Sequence, residues 1–128
     1  MAGILLVTHN GLGESFVDCV KHVLGEIPPN LKVLSVHAGD DPHTKLTEGK
    51  SIIKQLDTGD GVLILADVFG ATPSNIGRQL CHAEHVIGVA GLNLPMLLRV
   101  MCSPVKTLPE LASVAIEGGR ECIVKMEE

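Results

Sequence analysis

Residues 3–16, GILLVTHNGLGESF, decide the fold, because an apolar run passes into a helix through a short polar turn. The run Gly3 to Thr8 is rich in Val, Ile and Leu, which is typical of a strand that is covered on both faces. After the turn, Leu12, Phe16 and Val20 recur at helical spacing and predict an amphipathic helix. A strand followed at once by a helix is the repeating unit of a parallel α/β sheet.

Three further apolar runs of the same kind follow along the chain. They are Leu31 to His37, Gly61 to Ala66 and His85 to Ala90. The first of these contains Lys32 and Ser35, which predicts a strand nearer an edge of the sheet. A cap followed by proline, at Asp41-Pro42 and again at Thr72-Pro73, predicts the start of a helix between successive runs.

Two more helices are predicted near the C-terminus, over Pro95 to Cys102 and Thr107 to Glu117. The alternation of strands and helices predicts an α/β fold with a doubly wound, mainly parallel sheet and right-handed crossovers. A length of 128 residues predicts a single domain over 1–128. The tail Arg120 to Met126 alternates in part and is predicted to form a last strand.

The bulk composition argues against several classes of function. The chain has two Phe, no Trp or Tyr and a formal net charge of −5, so it offers few platforms for stacking bases and repels phosphate backbones. Four scattered cysteines without a CxxC pair favour neither a disulfide framework nor a zinc knuckle. The opening MAGILLVTHN lacks the features of a signal peptide, and we expect a cytoplasmic protein without a nucleic-acid partner.

Candidate site residues are those that follow the predicted strands, because ligands of open α/β sheets bind beyond the carboxyl ends of the strands. His9 and Asn10 follow the first run, and Asp67 opens the segment after the third run, which continues through 70–72. Since the first and third strands are usually neighbours in this fold, we expect His9 and Asp67 to meet.

The pairing of His9 with Asp67 has a chemical logic. A neutral imidazole attacks phosphorus through the ring nitrogen that carries no proton, and a carboxylate on the other nitrogen fixes that tautomer. Nearby helix N-termini would stabilise the phosphoryl anion, and the hydroxyl of Thr72 would donate to it. Spacing alone leaves other interpretations open: a strand-end His9 without a reactive role, and Asp67 and Thr72 as helix caps.

The local sequence gives weaker support for other kinds of site. There is no GxxxxGK[ST] and no GxSxG, and the dinucleotide pattern lacks its third glycine. A receiver domain needs an acidic pair where His9 and Asn10 stand. Cys81-His82 with His85 has the spacing of metal ligands but lacks a fourth ligand, so no metal is expected. His37 also ends a predicted strand at this edge, and its role stays open.

At these residues the chain resembles the mannose-type enzyme IIA domain of the bacterial sugar phosphotransferase system. The resemblance rests on three segments, which are 3–16, 61–75 (GVLILADVFGATPSN) and 88–100 (GVAGLNLPMLLRV). It implies that His9 is the phosphorylated histidine, that Asp67 orients it, and that the hydroxyl of Thr72 contacts the phosphoryl group.

The central segment departs from the family's Asp-x-x-Gly-Gly-Ser-Pro pattern at two positions. Ala71 replaces the second glycine and requires a negative φ, while Thr72 replaces serine and keeps the hydroxyl. Gly70, Ala71 and Asn10 complete the expected phosphoryl-binding set.

The same resemblance implies a flavodoxin-like homodimer that exchanges its C-terminal strand, for which Arg120 to Met126 is the candidate. It implies HPr as phosphoryl donor, a separate IIB protein as acceptor if one exists, and contact with the membrane only through a IIC/IID permease. No metal or nucleotide cofactor is implied, because the donor already carries a high-energy phosphohistidine. Alternatives are a regulatory or binding module without catalysis, and the phosphotransfer subunit of dihydroxyacetone kinase, which differs at 67–75.

Overall fold

The computed structural model describes residues 1–127, and its core is a four-stranded sheet in the order β2-β1-β3-β4, with all neighbouring pairs parallel. In chain order the elements are β1 (Gly3–His9), α1 (Leu12–Leu24), β2 (Leu31–Val36), α2 (Pro42–Leu56), β3 (Val62–Ala66), α3 (Thr72–Leu80), β4 (Val86–Ala90), α4 (Leu94–Cys102) and α5 (Leu108–Glu121). The predicted doubly wound, flavodoxin-like α/β fold is confirmed.

Helices cover both faces of the sheet. Ile4 and Leu6 of β1 pack in one apolar cluster with residues of α1, α4 and α5, whereas Leu5 and Val7 pack in a second cluster with α2 and α3. Burial of a Leu or Ile side chain contributes roughly 1.5–3 kcal/mol, so the two central strands hold the layers together. β2 lies at the edge of the sheet and exposes Lys32, as its mixed sequence predicts.

The two cap-and-proline signals have different outcomes. Asp41 caps α2 as predicted, and its carboxylate accepts from the backbone N–H of His43 at 3.3 Å. At α3 the prediction is wrong by one residue, because Ala71 is the N-cap and Thr72 is the first helical residue. The hydroxyl of Ser74 accounts for the shift: it accepts from the N–H of Gly70 at 2.8 Å and donates to the carbonyl of Ala71 at 2.9 Å.

The C-terminal segment also differs from the prediction. Arg120 is helical, because α5 continues through Gly118 and Gly119 instead of ending at Glu117. A Cβ atom on Gly118 would lie 2.7 Å from Cγ of Arg99, so the glycine permits the close packing of α4 and α5. The segment 123–127 forms neither a helix nor a strand in the single chain. Among the described residues, no helix has the length and apolar character needed to cross a membrane.

Candidate functional site

The candidate site lies at the carboxyl edge of the two central strands. β1 ends at His9, and Asp67 directly follows Ala66, the last residue of β3. Because β1 and β3 are parallel neighbours with Val7 opposite Ala66, the segment after each strand emerges at the same edge. The predicted meeting of the histidine and the aspartate therefore follows from the strand order.

Asp67 holds His9 through a single carboxylate oxygen. Its Oδ2 atom accepts from the backbone N–H of His9 at 2.9 Å and lies 2.8 Å from the ring nitrogen Nδ1. The other oxygen, Oδ1, accepts from the N–H of Val68 at 2.9 Å. The Asp67 side chain is only 5% exposed, whereas that of His9 is 46% exposed. The buried carboxylate thus fixes a histidine ring that is still open to solvent.

The electrostatics of the pair favour an ionised carboxylate. Burial raises the pKa of Asp67. This effect is outweighed by hydrogen bonds from the backbone N–H groups of His9 and Val68, and by the hydrogen bond and charge of the His9 ring, all of which lower the pKa. The net result is that the pKa of Asp67 lies below its ordinary value. A carboxylate can only accept, so a neutral His9 ring in this geometry carries its proton on Nδ1 and its free electron pair on Nε2.

Thr8 is a site residue that the sequence reasoning missed. Its side chain is fully buried, and its hydroxyl accepts from the N–H of Gly13 at 2.9 Å. A Cβ atom on Gly13 would lie 2.5 Å from Cγ1 of Val33, so the first turn of α1 packs tightly against the sheet. Together these contacts fix the N-terminus of α1 beside His9. A threonine inside an apolar run gave no sequence signal of this role.

Asn10 makes the turn between β1 and α1. Its φ is +47°, in the left-handed region that asparagine tolerates better than most residues, and its side chain is exposed. Its backbone N–H donates to the carbonyl of Val36 at 3.0 Å. That N–H is therefore occupied, and only the side-chain amide of Asn10 is free to meet a ligand.

The segment 70–72 forms the entry to α3. Gly70 has a φ of +87°, and Ala71 has a φ of −99°, so the alanine adopts the negative φ that its methyl group requires. Thr72 is exposed at the first helical position. Because Ser74 holds the N–H of Gly70, that group is not available to a phosphoryl oxygen. Ser74 is 4% exposed and was not singled out from the sequence, which offers only a Thr-Pro-Ser run as a signal.

The other candidate, His37, follows Val36, which pairs with His9 at the same edge of the sheet. His37 is exposed after β2, and its backbone N–H donates to Asp40 at 2.7 Å. The hydroxyl of Ser35 donates to Glu14 at 2.6 Å, and this bond is the main reason that the pKa of Glu14 lies below its ordinary value. Within residues 1–127, no three His, Cys, Asp or Glu side chains come together as a metal site requires.

Comparisons with known proteins relate the chain to one family. A family model described as the PTS system fructose IIA component matches residues 3–113. The chain is 31% identical over 121 residues to the PTS system mannose-specific EIIAB component of Escherichia coli (strain K12), and the match covers 92% of this chain. It is 31% identical over 100 residues to the PTS system sorbose-specific EIIA component of Lacticaseibacillus casei, which covers 76% of this chain and 70% of that protein.

The chain spans 37% of the length of the EIIAB relative, so it corresponds to one part of that protein. A solved structure matches over a greater share of both chains. The mannose/sorbose specific IIA subunit of the phosphotransferase system from Enterococcus faecalis superimposes with a TM-score of 0.90 at 25% identity, and the match covers 99% of this chain and 96% of that one.

Proposed function

The chain belongs to the mannose-type IIA family of the sugar phosphotransferase system, and from this premise we propose that it carries a phosphoryl group on Nε2 of His9. The observation that carries the proposal is the contact between Asp67 and Nδ1 of His9, at 2.8 Å. It leaves Nε2 as the ring nitrogen with a free electron pair, on a side chain that a donor can reach.

The transfer step balances without a net proton movement. Nε2 of His9 attacks the phosphorus of a donor phosphohistidine whose other ring nitrogen is protonated. The P–N bond of the donor breaks and its electron pair returns to the donor ring, while a new P–Nε2 bond forms. The donor ring becomes neutral and the His9 ring becomes positively charged. The ionised carboxylate of Asp67 stabilises that charge at Nδ1, as an aspartate stabilises imidazolium in a catalytic triad.

The oxygens of a phosphoryl group on Nε2 of His9 need hydrogen-bond donors from the protein. We assign this role to the hydroxyl and N–H of Thr72, the N–H of Ala71 and the side-chain amide of Asn10. Gly70 contributes its left-handed turn, because its own N–H is held by Ser74. The N-terminus of α3 adds the positive end of its dipole, which favours an anion.

The proposed partners are proteins. Phospho-HPr donates the group, and a IIB protein accepts it for sugar uptake through a IIC/IID permease; where no permease exists, the phosphorylated state serves as a signal. The mannose and sorbose systems of the relatives support a hexose as the class of sugar. The reaction needs no cofactor, since the energy of the donor P–N bond is conserved, and we place it in the cytoplasm.

A second copy of the chain completes the proposed assembly. Ile123, Val124 and Met126 are exposed at the C-terminus, and within residues 1–127 the edge strand β4 pairs with β3 alone. A tail that adds to the free edge of a partner's β4 would cover these apolar side chains and satisfy the backbone groups of that edge.

The decisive experiment is phosphorylation of the purified protein by phosphoenolpyruvate, enzyme I and HPr, followed by intact mass measurement. We expect a gain of one phosphoryl group that is lost in acid, as a P–N bond requires. His9→Ala should show no gain, while His37→Ala, which changes an exposed histidine at the same edge, should be labelled normally. If the wild-type protein stays unlabelled with competent partners, it is a binding or regulatory module without catalysis, and the carrier proposal is rejected.

A further inference from the structure

The hydroxyl of Ser74 bridges the turn that leads into α3. It accepts from the backbone N–H of Gly70 at 2.8 Å and donates to the carbonyl of Ala71 at 2.9 Å. Ser74 is 4% exposed and is the third residue of α3, two positions after Thr72. One buried oxygen atom therefore holds the two residues that precede the helix. We call these two hydrogen bonds the Ser74 bridge.

The Ser74 bridge fixes the orientation of the peptide between Ala71 and Thr72. The carbonyl of Ala71 accepts from the Ser74 hydroxyl and also from the backbone N–H of Asn75, at 3.0 Å. In a planar trans peptide the N–H points opposite to the carbonyl. Because the carbonyl of Ala71 points into α3, the N–H of Thr72 points out of the helix N-terminus, where backbone N–H groups bind anions.

The peptide between Gly70 and Ala71 is restrained from both sides. The Ser74 bridge holds the N–H of the preceding peptide and the carbonyl of the following one. Gly70 has a φ of +87° and Ala71 a φ of −99°, and the methyl group of the alanine limits the conformations that the turn can reach. The N–H of Ala71 therefore has a defined direction as well.

The Ser74 bridge stabilises the start of α3 without using these two N–H groups. A helix usually begins at a residue whose side-chain oxygen accepts from a backbone N–H of the first turn. Ala71 has no such oxygen, and Pro73 has no N–H to offer. Ser74 replaces the missing cap from inside the helix. Within residues 1–127, the N–H groups of Ala71 and Thr72 have no hydrogen-bond partner, so both can meet a ligand.

We propose that Ser74 is a positioning residue of the phosphoryl site, which aims the N–H groups of Ala71 and Thr72 at the group carried by His9. The inference rests on the proposed function and adds to it a residue that acts through the backbone. Donors that are already oriented stabilise an anion without a cost of reorganisation. The Ser74 bridge therefore sets how strongly the protein retains the phosphoryl group, and hence the equilibrium constant for transfer from phospho-HPr.

The test measures that equilibrium constant. Phospho-HPr is mixed with each variant at equal concentration, without enzyme I or phosphoenolpyruvate, and intact masses give the distribution of the phosphoryl group. We expect Ser74→Ala to lower the constant roughly tenfold, as the loss of one hydrogen bond to a charged group implies. Ser74→Thr keeps the hydroxyl and can place its methyl group in the groove between α3 and β4, which Ser74 lines, so it should stay within about twofold of the wild type.

Two further variants separate positioning from stability. Ser74→Cys has a weaker donor and acceptor, so its constant should lie between those of the wild type and Ser74→Ala, and it keeps the test decisive if the alanine variant does not fold. Val100→Ala removes part of a buried side chain that lines a cavity with Met1 and Asp60, at the opposite edge of the sheet. It should lower the stability and leave the equilibrium constant unchanged.

Amide proton signals report on the N–H groups directly. Phosphorylation of the wild-type protein should move the amide proton signal of Thr72 downfield, because an anionic oxygen then accepts from it, and Ser74→Ala should reduce that shift. A Thr72 signal that does not move in phosphorylated wild-type protein would overturn the proposal.

The equilibrium constants can also overturn it. Wild-type values in both Ser74→Ala and Ser74→Cys would reduce the Ser74 bridge to a structural role, and an equal fall in Val100→Ala or Ser74→Thr would have the same meaning. A rise in Ser74→Ala would show that the released N–H of Gly70 is the better donor. Failure of the proposed function looks different, because wild-type protein would then take no phosphoryl group from phospho-HPr.

Discussion

Oδ2 of Asp67 binds His9 twice, at the backbone N–H (2.9 Å) and at ring nitrogen Nδ1 (2.8 Å). One atom therefore fixes both the end of β1 and the orientation of the imidazole. The second oxygen holds the N–H of Val68, so the carboxylate also ties down the segment that follows β3. Changes at Asp67 should act on reactivity and on local structure together, and the two effects can be separated by experiment.

Asp67→Asn should slow phosphoryl transfer from phospho-HPr. The amide keeps the size of the side chain but removes the charge that stabilises the phosphorylated ring. It also replaces one of the two accepting oxygens by an NH2 group that can only donate, so it no longer enforces the tautomer of His9. A loss of roughly 10–100-fold is expected by analogy with the carboxylates that orient metal-bound histidines. Single-turnover transfer measures it, and Asp18→Asn, which changes an exposed aspartate on α1, is the control. Equal rates in both variants would reduce Asp67 to a structural role.

The stability contributed by Asp67 should depend on pH in a defined direction. Its pKa in the folded protein is lower than the ordinary value of about 3.9, so folding favours the ionised form. The contribution is thus present above about pH 4–5 and is lost as the pH falls through the folded pKa. Free energies of unfolding should show wild type and Asp67→Asn converging from pH 6 to pH 3. A difference that stays constant over this range would contradict the assignment.

The sequence was sufficient to predict that β1 and β3 are neighbours and that His9 and Asp67 meet where they end. Apolar runs of five to seven residues that alternate with amphipathic helices leave few topologies, and in those topologies the first and third strands are neighbours. The contact between His9 and Asp67 could therefore be predicted from the sequence. The edge position of β2 followed equally from its polar residues.

The roles of Thr8 and Ser74 could not be predicted, because both depend on hydrogen bonds across a turn. Whether a hydroxyl reaches an N–H several residues away is set by backbone angles that no periodic pattern encodes. The prediction of a C-terminal strand is wrong for another reason. Alternation in the tail indicates a surface suited to strand pairing, but a strand forms only where the backbone reaches the edge of a sheet. Residues 123–127 pair with no strand of their own chain.

Gly13→Ala should destabilise the protein, because the new methyl group would lie 2.5 Å from Cγ1 of Val33 and 2.8 Å from the hydroxyl of Thr8. Overpacking of this kind costs about 1–3 kcal/mol, which exceeds the gain in helix propensity. Gly11→Ala is the control: its Cβ would meet nothing within 4 Å, and its φ is −84°. Urea unfolding should give a lower free energy of unfolding for Gly13→Ala than for Gly11→Ala. Equal values would show that the first turn of α1 shifts to accommodate the methyl group.

Ser74→Ala should weaken the entry to α3. The substitution leaves the N–H of Gly70 without its partner and removes the bond to the carbonyl of Ala71. An orphaned, partly buried donor costs roughly 1–3 kcal/mol. Ser113→Ala, at an exposed helical position where the hydroxyl only bonds back to Pro109, should be nearly neutral. Thermal unfolding of the two variants gives the comparison. Matching melting temperatures would mean that the hydrogen bonds of Ser74 do not stabilise the loop before α3.

Deletion of residues 123–128 should convert the protein from a dimer to a monomer. Within residues 1–127, two surfaces have no partner: the exposed side chains of Ile123 and Val124, and the edge of β4 that does not face β3. Pairing the tail of one copy with β4 of the other buries apolar area and adds backbone hydrogen bonds. In a closed symmetric dimer this happens twice, once for each tail.

Light scattering coupled to gel filtration should therefore report half the wild-type mass for the deletion variant. Replacing Val23, an exposed apolar residue at the end of α1, by Ser should leave the mass unchanged. A deletion variant that keeps the wild-type mass would place the dimer contact elsewhere, and a wild-type protein that is already monomeric would remove the second copy from the proposed assembly.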